Sequence, residues 1–171
     1  MRISRNTFNP TQGIAVATRR GAIIVLVVAI LIMVFAFTAF TVDVGYITLT
    51  TAELQKTSDA AALGAGLELA DAFGPGKLVT PSQAETNARA AAVAVSAANR
   101  GGGLAAVYAD AARDVRVGNY SWDAATETYI KQWGVEPYNL AEVTLHRDQS
   151  GSGAGDGPLD LFFAPVLGHD E

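Results

Sequence analysis

The chain has 171 residues, of which half are apolar, 17% are charged and none is cysteine. This length fits one ordinary domain with an appendage, and the lack of cysteine excludes a disulfide scaffold and any thiolate metal site. The net charge of −5 is unevenly distributed. Residues 1–20 contain four arginines and no acid, whereas residues 21–171 contain eight basic and 17 acidic residues. Such asymmetry is typical of a chain divided by a membrane.

Residues 21–42 form an apolar run without a single charge, in which Thr38 and Thr41 are the only polar side chains. A helix of this length would be roughly 33 Å long. The hydrocarbon core of a bilayer is about 30 Å thick. The run therefore predicts a transmembrane helix.

Arg19 and Arg20 precede the apolar run. The positive-inside rule predicts that residues 1–20 stay in the cytoplasm and that residues 43–171 are extracytoplasmic, as in a single-pass protein of the inner membrane. Two alternatives treat the run as a cleaved segment, either a secretory signal peptide or a twin-arginine signal. The run exceeds the apolar core of about 7–15 residues found in signal peptides, and no small-x-small site follows it. A permanent anchor is therefore favoured.

Residues 43–73 are rich in helix formers, lack proline and precede the helix-stopping sequence Gly74-Pro75-Gly76. The pattern predicts an amphipathic helical extension of the membrane helix that ends at residue 73. Small residues recur at a spacing of four in its outer half and would allow a close approach of another helix. The other helix could belong to a partner or to this chain's own outer domain, and the sequence leaves both open.

Three motifs follow one another here: Arg19-Arg20-Gly21, then Val-Asp-Val-Gly at 42–45, then Leu-Gln-x-x-x-Asp-Ala-Ala-Ala-Leu at 54–63. In this order and spacing they resemble the amino-terminal module of TadG-like proteins of the Tad (Flp-type) pilus-assembly family, over about residues 19–66. The resemblance implies an inner-membrane component of a pilus-assembly system, loosely related to pseudopilins. It implies other pilus-assembly membrane proteins as partners, and a homo-oligomer through the alanine- and glycine-rich helix is a further expectation.

Prepilin-type processing would require a glutamate five residues after the cleaved glycine, and the position counted from Gly21 is Leu26. The amino end is therefore expected to remain intact. Asp59 matches the acidic position inside the family's alanine run. Contacts to a partner or to a packing helix are expected at seven residues of the outer half: Leu54, Gln55, Asp59, Ala61, Ala62, Gly64 and Ala65.

Residues 77–171 are predicted to form an extracytoplasmic domain. Thr80-Pro81-Ser82-Gln83 combines a capping threonine, a first-turn proline and a glutamine at the third position. It predicts a helix that ends at Arg100, before three glycines. Alternating patterns then predict three antiparallel strands, at 114–122, 127–133 and 140–146, followed by a glycine-rich loop at 150–157 and a short apolar piece at 159–167. The predicted fold class is α+β, with a long amino-terminal helix followed by a small helix and a sheet.

Two further motifs match functional sites but lack their context. Residues 148–152 match D-x-S-x-S, the metal-binding loop of von Willebrand factor A domains, yet only 19 residues follow where that fold needs further ligands. Residues 101–106 have dinucleotide-binding glycine spacing, but they follow a predicted helix rather than a strand. His146, at the end of the third predicted strand, and His169 have no ligand spacing. The sequence thus predicts no catalytic residue, metal or cofactor, and no nucleic-acid partner because no basic patch lies beyond residue 20.

The leading hypothesis is a non-enzymatic, single-pass membrane protein that acts in the assembly or anchoring of a Tad-type pilus. A second hypothesis is a membrane-tethered extracytoplasmic domain with a binding or hydrolytic function. A third is a pseudopilin-like structural subunit that enters the fibre.

Overall fold

A computed structural model describes residues 20–150 and 153–168 of the chain. It confirms the α+β class. The elements in chain order are helices α1 (Arg20–Ala70) and α2 (Pro81–Ala97), strands β1 (Val115–Asp123), β2 (Thr128–Trp133) and β3 (Leu140–Val143), and a short 3₁₀ helix (Ala164–Leu167). The chain divides into two compact units, Met1–Thr38 and Ala39–Glu171. The first unit contains the beginning of α1, and the second contains its remainder together with every other element.

The amino-terminal part of α1 is apolar and uncovered by protein. Its large side chains between Ile23 and Phe40 are exposed, each at 49% or more. Among the described residues, α1 is the one helix that is long and apolar enough to cross a membrane. An uninterrupted apolar helix surface of this length is stable when hydrocarbon covers it.

The outer half of α1 packs into the core of the second unit. Ridges of small side chains at intervals of four residues run along both helices, because residues four apart lie on one helix face. The fully or almost fully buried core consists of Ala61, Ala65 and Leu69 on α1, Ala84, Ala88 and Ala92 on α2, and Val115 and Val117 on β1. Alanine ridges leave little side-chain volume between the two helices, so their backbones can approach closely.

Helix α1 ends at Ala70, three residues before the predicted end. The next amides form turn bonds, from Ala72 N to Leu69 O (3.2 Å) and from Phe73 N to Ala70 O (3.1 Å). Helix α2 begins with the predicted capping box, in which Thr80 Oγ1 accepts from Gln83 N at 3.3 Å. It ends at Ala97, and Ala98 to Arg100 form the turn that leads to the three glycines.

The glycine segment after α2 is attached to α1. Gly102 and Gly103 adopt positive φ angles of 57° and 80°, which glycine reaches without steric cost. The backbone N–H of Gly102 donates to Glu53 Oε2 at 2.9 Å. The 101–106 motif therefore serves as a turn between a helix and a loop, and it does not open a helix as a dinucleotide-binding motif would.

The three strands form an antiparallel sheet in the order β2-β1-β3. Val115 and Val117 of the central strand face the core, whereas Arg116 and Tyr120 are exposed on the outer face. Strand β3 ends at Val143, earlier than predicted, because its partner β1 begins at Val115, which pairs with Val143. His146 therefore lies beyond the strand, and the prediction that it ends the strand was wrong.

Gly118 allows the close approach of β2 to β1. A Cβ atom at this position would lie 2.3 Å from the Gln132 carbonyl oxygen and 3.0 Å from Trp133 Cα, both of which are backbone atoms. Because backbone cannot move aside as a flexible side chain can, we expect Gly118→Ala to lower the free energy of unfolding by about 1–3 kcal/mol, as in other overpacked sites. Thermal unfolding of the full chain in detergent, followed by circular dichroism, measures this loss.

Gly66→Ala is the matched control, because Gly66 lies in α1 and a Cβ atom there would meet nothing within 4 Å. At this position the substitution should raise the free energy of unfolding by up to about 1 kcal/mol through helix propensity. Equal unfolding temperatures for the Gly118→Ala variant and the original chain would contradict the assigned close approach.

Candidate functional site

A cleft of about 540 Å³ lies in the second unit between α1 and β3. Its helix side is formed by Thr51, Leu54, Gln55, Ser58, Asp59 and Ala62, and its strand side by Leu140 to Val143, Thr144 and Leu145, together with Lys131 of β2. Four of the seven contact residues predicted from the sequence line this cleft: Leu54, Gln55, Asp59 and Ala62.

The helix side of the cleft has a polar stretch whose members are bonded within α1. Gln55 Nε2 donates to Asp59 Oδ1 at 2.9 Å, one helical turn away. Ser58 Oγ donates to the Gln55 carbonyl at 3.0 Å. The glutamine amide thus holds the Asp59 carboxylate in position, and the remaining lone pairs of that exposed carboxylate are available to a donor from outside.

The strand side of the cleft includes the edge of the sheet formed by β3, which in the described part of the chain pairs with β1 alone. In an antiparallel pair, alternate residues direct their backbone groups to the partner strand. Thr144 N donates to the Asp114 carbonyl at 2.9 Å, so Leu140, Glu142 and Thr144 direct their backbone groups to β1. The backbone N–H and C=O groups of Ala141 and Val143, which both line the cleft, then point away from β1.

Charges of both signs line the cleft, since Asp59 and Glu142 are acidic and Lys131 is basic. Glu142 Oε1 accepts from Arg116 Nη1 at 3.3 Å, and both side chains are about half exposed. The Arg116 guanidinium also lies 4.2 Å from the Trp133 ring centroid, which is a cation–π contact. The lining of the cleft is thus charged at Asp59, Lys131 and Glu142 and apolar at Leu54 and Ala62. Glu142 and Lys131 were not singled out from the sequence, because only the sheet register brings them to α1.

The other three predicted contact residues pack inside the chain itself. Ala61 and Ala65 are completely buried in the core beside α2. Gly64 faces Val95 of α2, whose Cγ2 atom lies 3.1 Å from the position of a Cβ on Gly64. The small-residue stripe therefore divides into a face that packs on the chain's own outer domain and a face that lines the cleft. Of the predicted flanking arginines, Arg20 is the first residue of α1 and Arg19 lies outside the described residues.

Asp43 is a structurally important residue that the sequence analysis did not select as a site. The residue is 7% exposed. It accepts backbone N–H groups from Phe162 (3.0 Å), Phe163 (3.1 Å) and Ala164 (2.9 Å). These amides lie at the start of the 3₁₀ helix, where unpaired N–H groups favour an anion. Its place in the Val-Asp-Val-Gly motif, as the first charge after the apolar run, was the available signal.

A second polar cluster joins the loop after β3 to the turn before β1. Asp114 and Asp156 are almost completely buried, and Arg113 bridges them, with 2.7 Å between Arg113 Nη2 and Asp156 Oδ2. The hydrogen bonds that the Arg113 guanidinium donates to the carboxylates of Asp114 and Asp156 raise its pKa further above the ordinary value. In the described ranges, no three or more His, Cys, Asp or Glu side chains are placed to hold a metal ion.

Asp148, which opens the D-x-S-x-S motif, has an exposed side chain whose Oδ1 atom lies 3.3 Å from His146 Nδ1 and accepts from Gln149 Nε2 at 3.0 Å. Residues 151 and 152 of that motif lie outside the described part of the chain.

The turn before β1 can be tested through the pH dependence of thermal stability. Asp110 Oδ1 accepts the backbone N–H groups of Arg113 and Ala112, both at 2.8 Å, and these bonds lower the pKa of Asp110. A carboxylate with a lowered pKa stabilises the fold above its unfolded pKa of about 3.9. That contribution is lost as the pH falls through the lower pKa of the folded state. We expect Asp110→Asn to reduce the loss of thermal stability below about pH 4, and an equally steep loss would contradict this assignment.

The range of α1 agrees with a match to a known protein family. Residues 21–71 match the Tad family model, described as Flp pilus-assembly TadE/G-like. The match covers under a third of the chain and coincides with α1. No curated protein and no solved structure is significantly similar to the chain. The part of the chain that is similar to this family is therefore helix α1, which contains both the apolar run and the helix side of the cleft.

Proposed function

We propose that the chain is a single-pass membrane protein that acts without catalysis in the assembly or anchoring of a Tad-type pilus. Residues 21–42 anchor it in the inner membrane, with Arg19 and Arg20 on the cytoplasmic side. The second unit lies outside the cytoplasm and binds another pilus-assembly protein through the cleft between α1 and β3.

The observation that carries this proposal is that α1, the helix that matches the Tad family model, is uncovered at one end and buried at the other. Within one helix, the side chains between Ile23 and Phe40 are uncovered, whereas Ala61, Ala65 and Leu69 are buried in the core. The same element is suited to lipid at one end and forms part of a folded domain at the other. An anchor and a domain that share one helix in this way need no separate linker.

A binding role for the cleft agrees with the chemistry of its lining. The lining contains no histidine or cysteine, and its glutamine amide and serine hydroxyl are already bonded within α1. The free edge of β3, in contrast, offers a row of backbone donors and acceptors. An extended segment of a partner pairs with such an edge by strand addition, in which main-chain hydrogen bonds provide affinity and side-chain pockets provide specificity. We assign this occupant to the cleft, with a basic side chain of the partner next to Asp59.

The cleft can be tested by filling it. Ala62→Leu adds three carbon atoms to the α1 side of the cleft, so we expect loss of piliation in a host that assembles Tad-type pili. The amount of the protein in the membrane should be unchanged, because Ala62 lies outside the buried core. Electron microscopy of surface pili and immunoblotting of membranes measure the two quantities.

Two variants control this test. Ala70→Leu makes the same substitution at an exposed position outside the cleft and should leave piliation normal. Ala65→Leu makes it in the fully buried core and should lower the free energy of unfolding by about 1–3 kcal/mol. Normal piliation in the Ala62→Leu variant would contradict the proposal that a partner binds in the cleft. If residues of the cleft crosslink to a second copy of this chain, the occupant is that copy and not another pilus-assembly protein.

The anchoring part of the proposal is tested by the mass of the membrane-extracted protein together with amino-terminal sequencing. We expect Arg19 and Arg20 to be retained, because Leu26 replaces the glutamate that prepilin processing requires. A new amino terminus at Ala22 would instead indicate a pseudopilin-like subunit that enters the fibre.

A further inference from the structure

We infer that Phe162, Phe163 and Val166, here called the Phe162 patch, bind the surface of the same phospholipid bilayer that α1 spans. The inference rests on the anchoring part of the proposed function. It adds a second membrane contact, which comes from the far end of the sequence and is independent of the cleft.

The first argument is exposure. Phe162 is 64% exposed, Phe163 40% and Val166 80%, although all three are large and apolar. The segment around them, from Leu161 to Gly168, contains no charged residue. Clustered exposed apolar side chains of this kind mark a surface that is covered by another phase or molecule.

The second argument is position. Asp43 holds the amides of Phe162, Phe163 and Ala164, and it is the first residue after the uncharged run 21–42. The Phe162 ring also lies 5.3 Å from the ring of Tyr46, centroid to centroid. Tyr46 follows Asp43 by three residues, or about 4.5 Å along the helix. The patch is therefore attached to α1 within about one turn of the predicted membrane boundary.

The third argument is the chemistry of this attachment. A bare carboxylate beside lipid is costly, but the Asp43 charge is buried and is satisfied by backbone donors at the start of the 3₁₀ helix. Because Asp43 contacts only backbone N–H groups of this segment, the apolar side chains of Phe162, Phe163 and Val166 remain exposed on the surface. Aromatic and aliphatic side chains of amphipathic segments bind in this way, about 5–10 Å into the boundary between headgroups and acyl chains.

A protein partner could also cover such a patch, but the bilayer is favoured by continuity. Phe40 and Ile47 of α1, on either side of Asp43, are exposed at 65% and 44%. The apolar surface of the membrane run therefore continues past Asp43 beside the patch, and a lipid surface meets both at once.

The experiment uses nitroxide labels on the full chain in vesicles of phosphatidylcholine and phosphatidylglycerol. Because the chain contains no cysteine, each introduced cysteine carries a unique label. The test variant is Val166→Cys, and Leu78→Cys is its matched control, with an apolar side chain of nearly equal exposure (78%) beyond the outer end of α1. Met33→Cys reports on the membrane run.

Collision of each label with oxygen, which concentrates in lipid, is compared with collision with a water-soluble nickel chelate. We expect the oxygen-to-nickel ratio at residue 166 to exceed that at residue 78 severalfold and to remain below that at residue 33. If the oxygen-to-nickel ratio at residue 166 equals that at residue 78 while residue 33 lies in lipid, the patch does not bind the bilayer, and the proposed anchor is unaffected. Low accessibility of residue 166 to both reagents would overturn the bilayer contact in favour of a protein contact.

A water-exposed label at residue 33 would instead refute the anchor, and with it the patch. The attachment of the patch to α1 through Asp43 is tested in the double variant Asp43→Ala, Val166→Cys. Circular dichroism confirms that its helices are retained. The oxygen-to-nickel ratio at residue 166 should then fall towards that at residue 78, while the ratio at residue 33 is unchanged in the corresponding double variant. An unchanged ratio at residue 166 in a folded protein would show that Asp43 does not position the patch.

Discussion

The second unit depends on the close packing of α1 against α2 along two ridges of alanine. Ala61 and Ala65 meet the Ala84, Ala88 and Ala92 side of α2, with Val115 and Val117 of the sheet completing the core. Alanine contributes little apolar area per residue, so the stability of such a core comes from many short-range contacts that a close backbone approach permits. We expect a larger side chain at one of these alanines to overpack the core and lower the free energy of unfolding.

This packing leaves one face of α1 open beside β3. It occupies one face of the outer half of α1, and the adjacent face, with Leu54, Gln55, Asp59 and Ala62, remains open beside the free edge of β3. The core-facing side and the cleft-lining side of the same helix are therefore separated by about a quarter of a turn. In the proposed function, a partner bound in the cleft touches the helix whose amino-terminal part is the anchor.

The polar contacts outside the core connect distant parts of the sequence. Asp43 joins α1 to residues 162–164, Glu53 joins it to Gly102, and Arg113 joins the turn before β1 to Asp156. Each connects a loop, whose backbone groups need partners when they are buried, to a charged side chain on or beside a regular element. These contacts explain how long loops with many glycines are positioned on a small sheet and two helices.

The amino-acid sequence by itself determined the helices, the order of the strands along the chain and the resemblance to the Tad family, because these follow from local signals. An uncharged run of 22 residues, the Thr80 capping box and alternating strands act over a few neighbouring residues. Only the tertiary structure decided which small residues are internal, since Ala61 and Ala62 are adjacent alanines in the sequence but face the core and the cleft respectively. It also decided the early end of β3, the hydrogen-bond donors to Asp43 and the positions of Lys131 and Glu142 in the cleft lining. These features depend on contacts between residues that are remote in sequence, and such contacts are formed only when the helices and the sheet pack together.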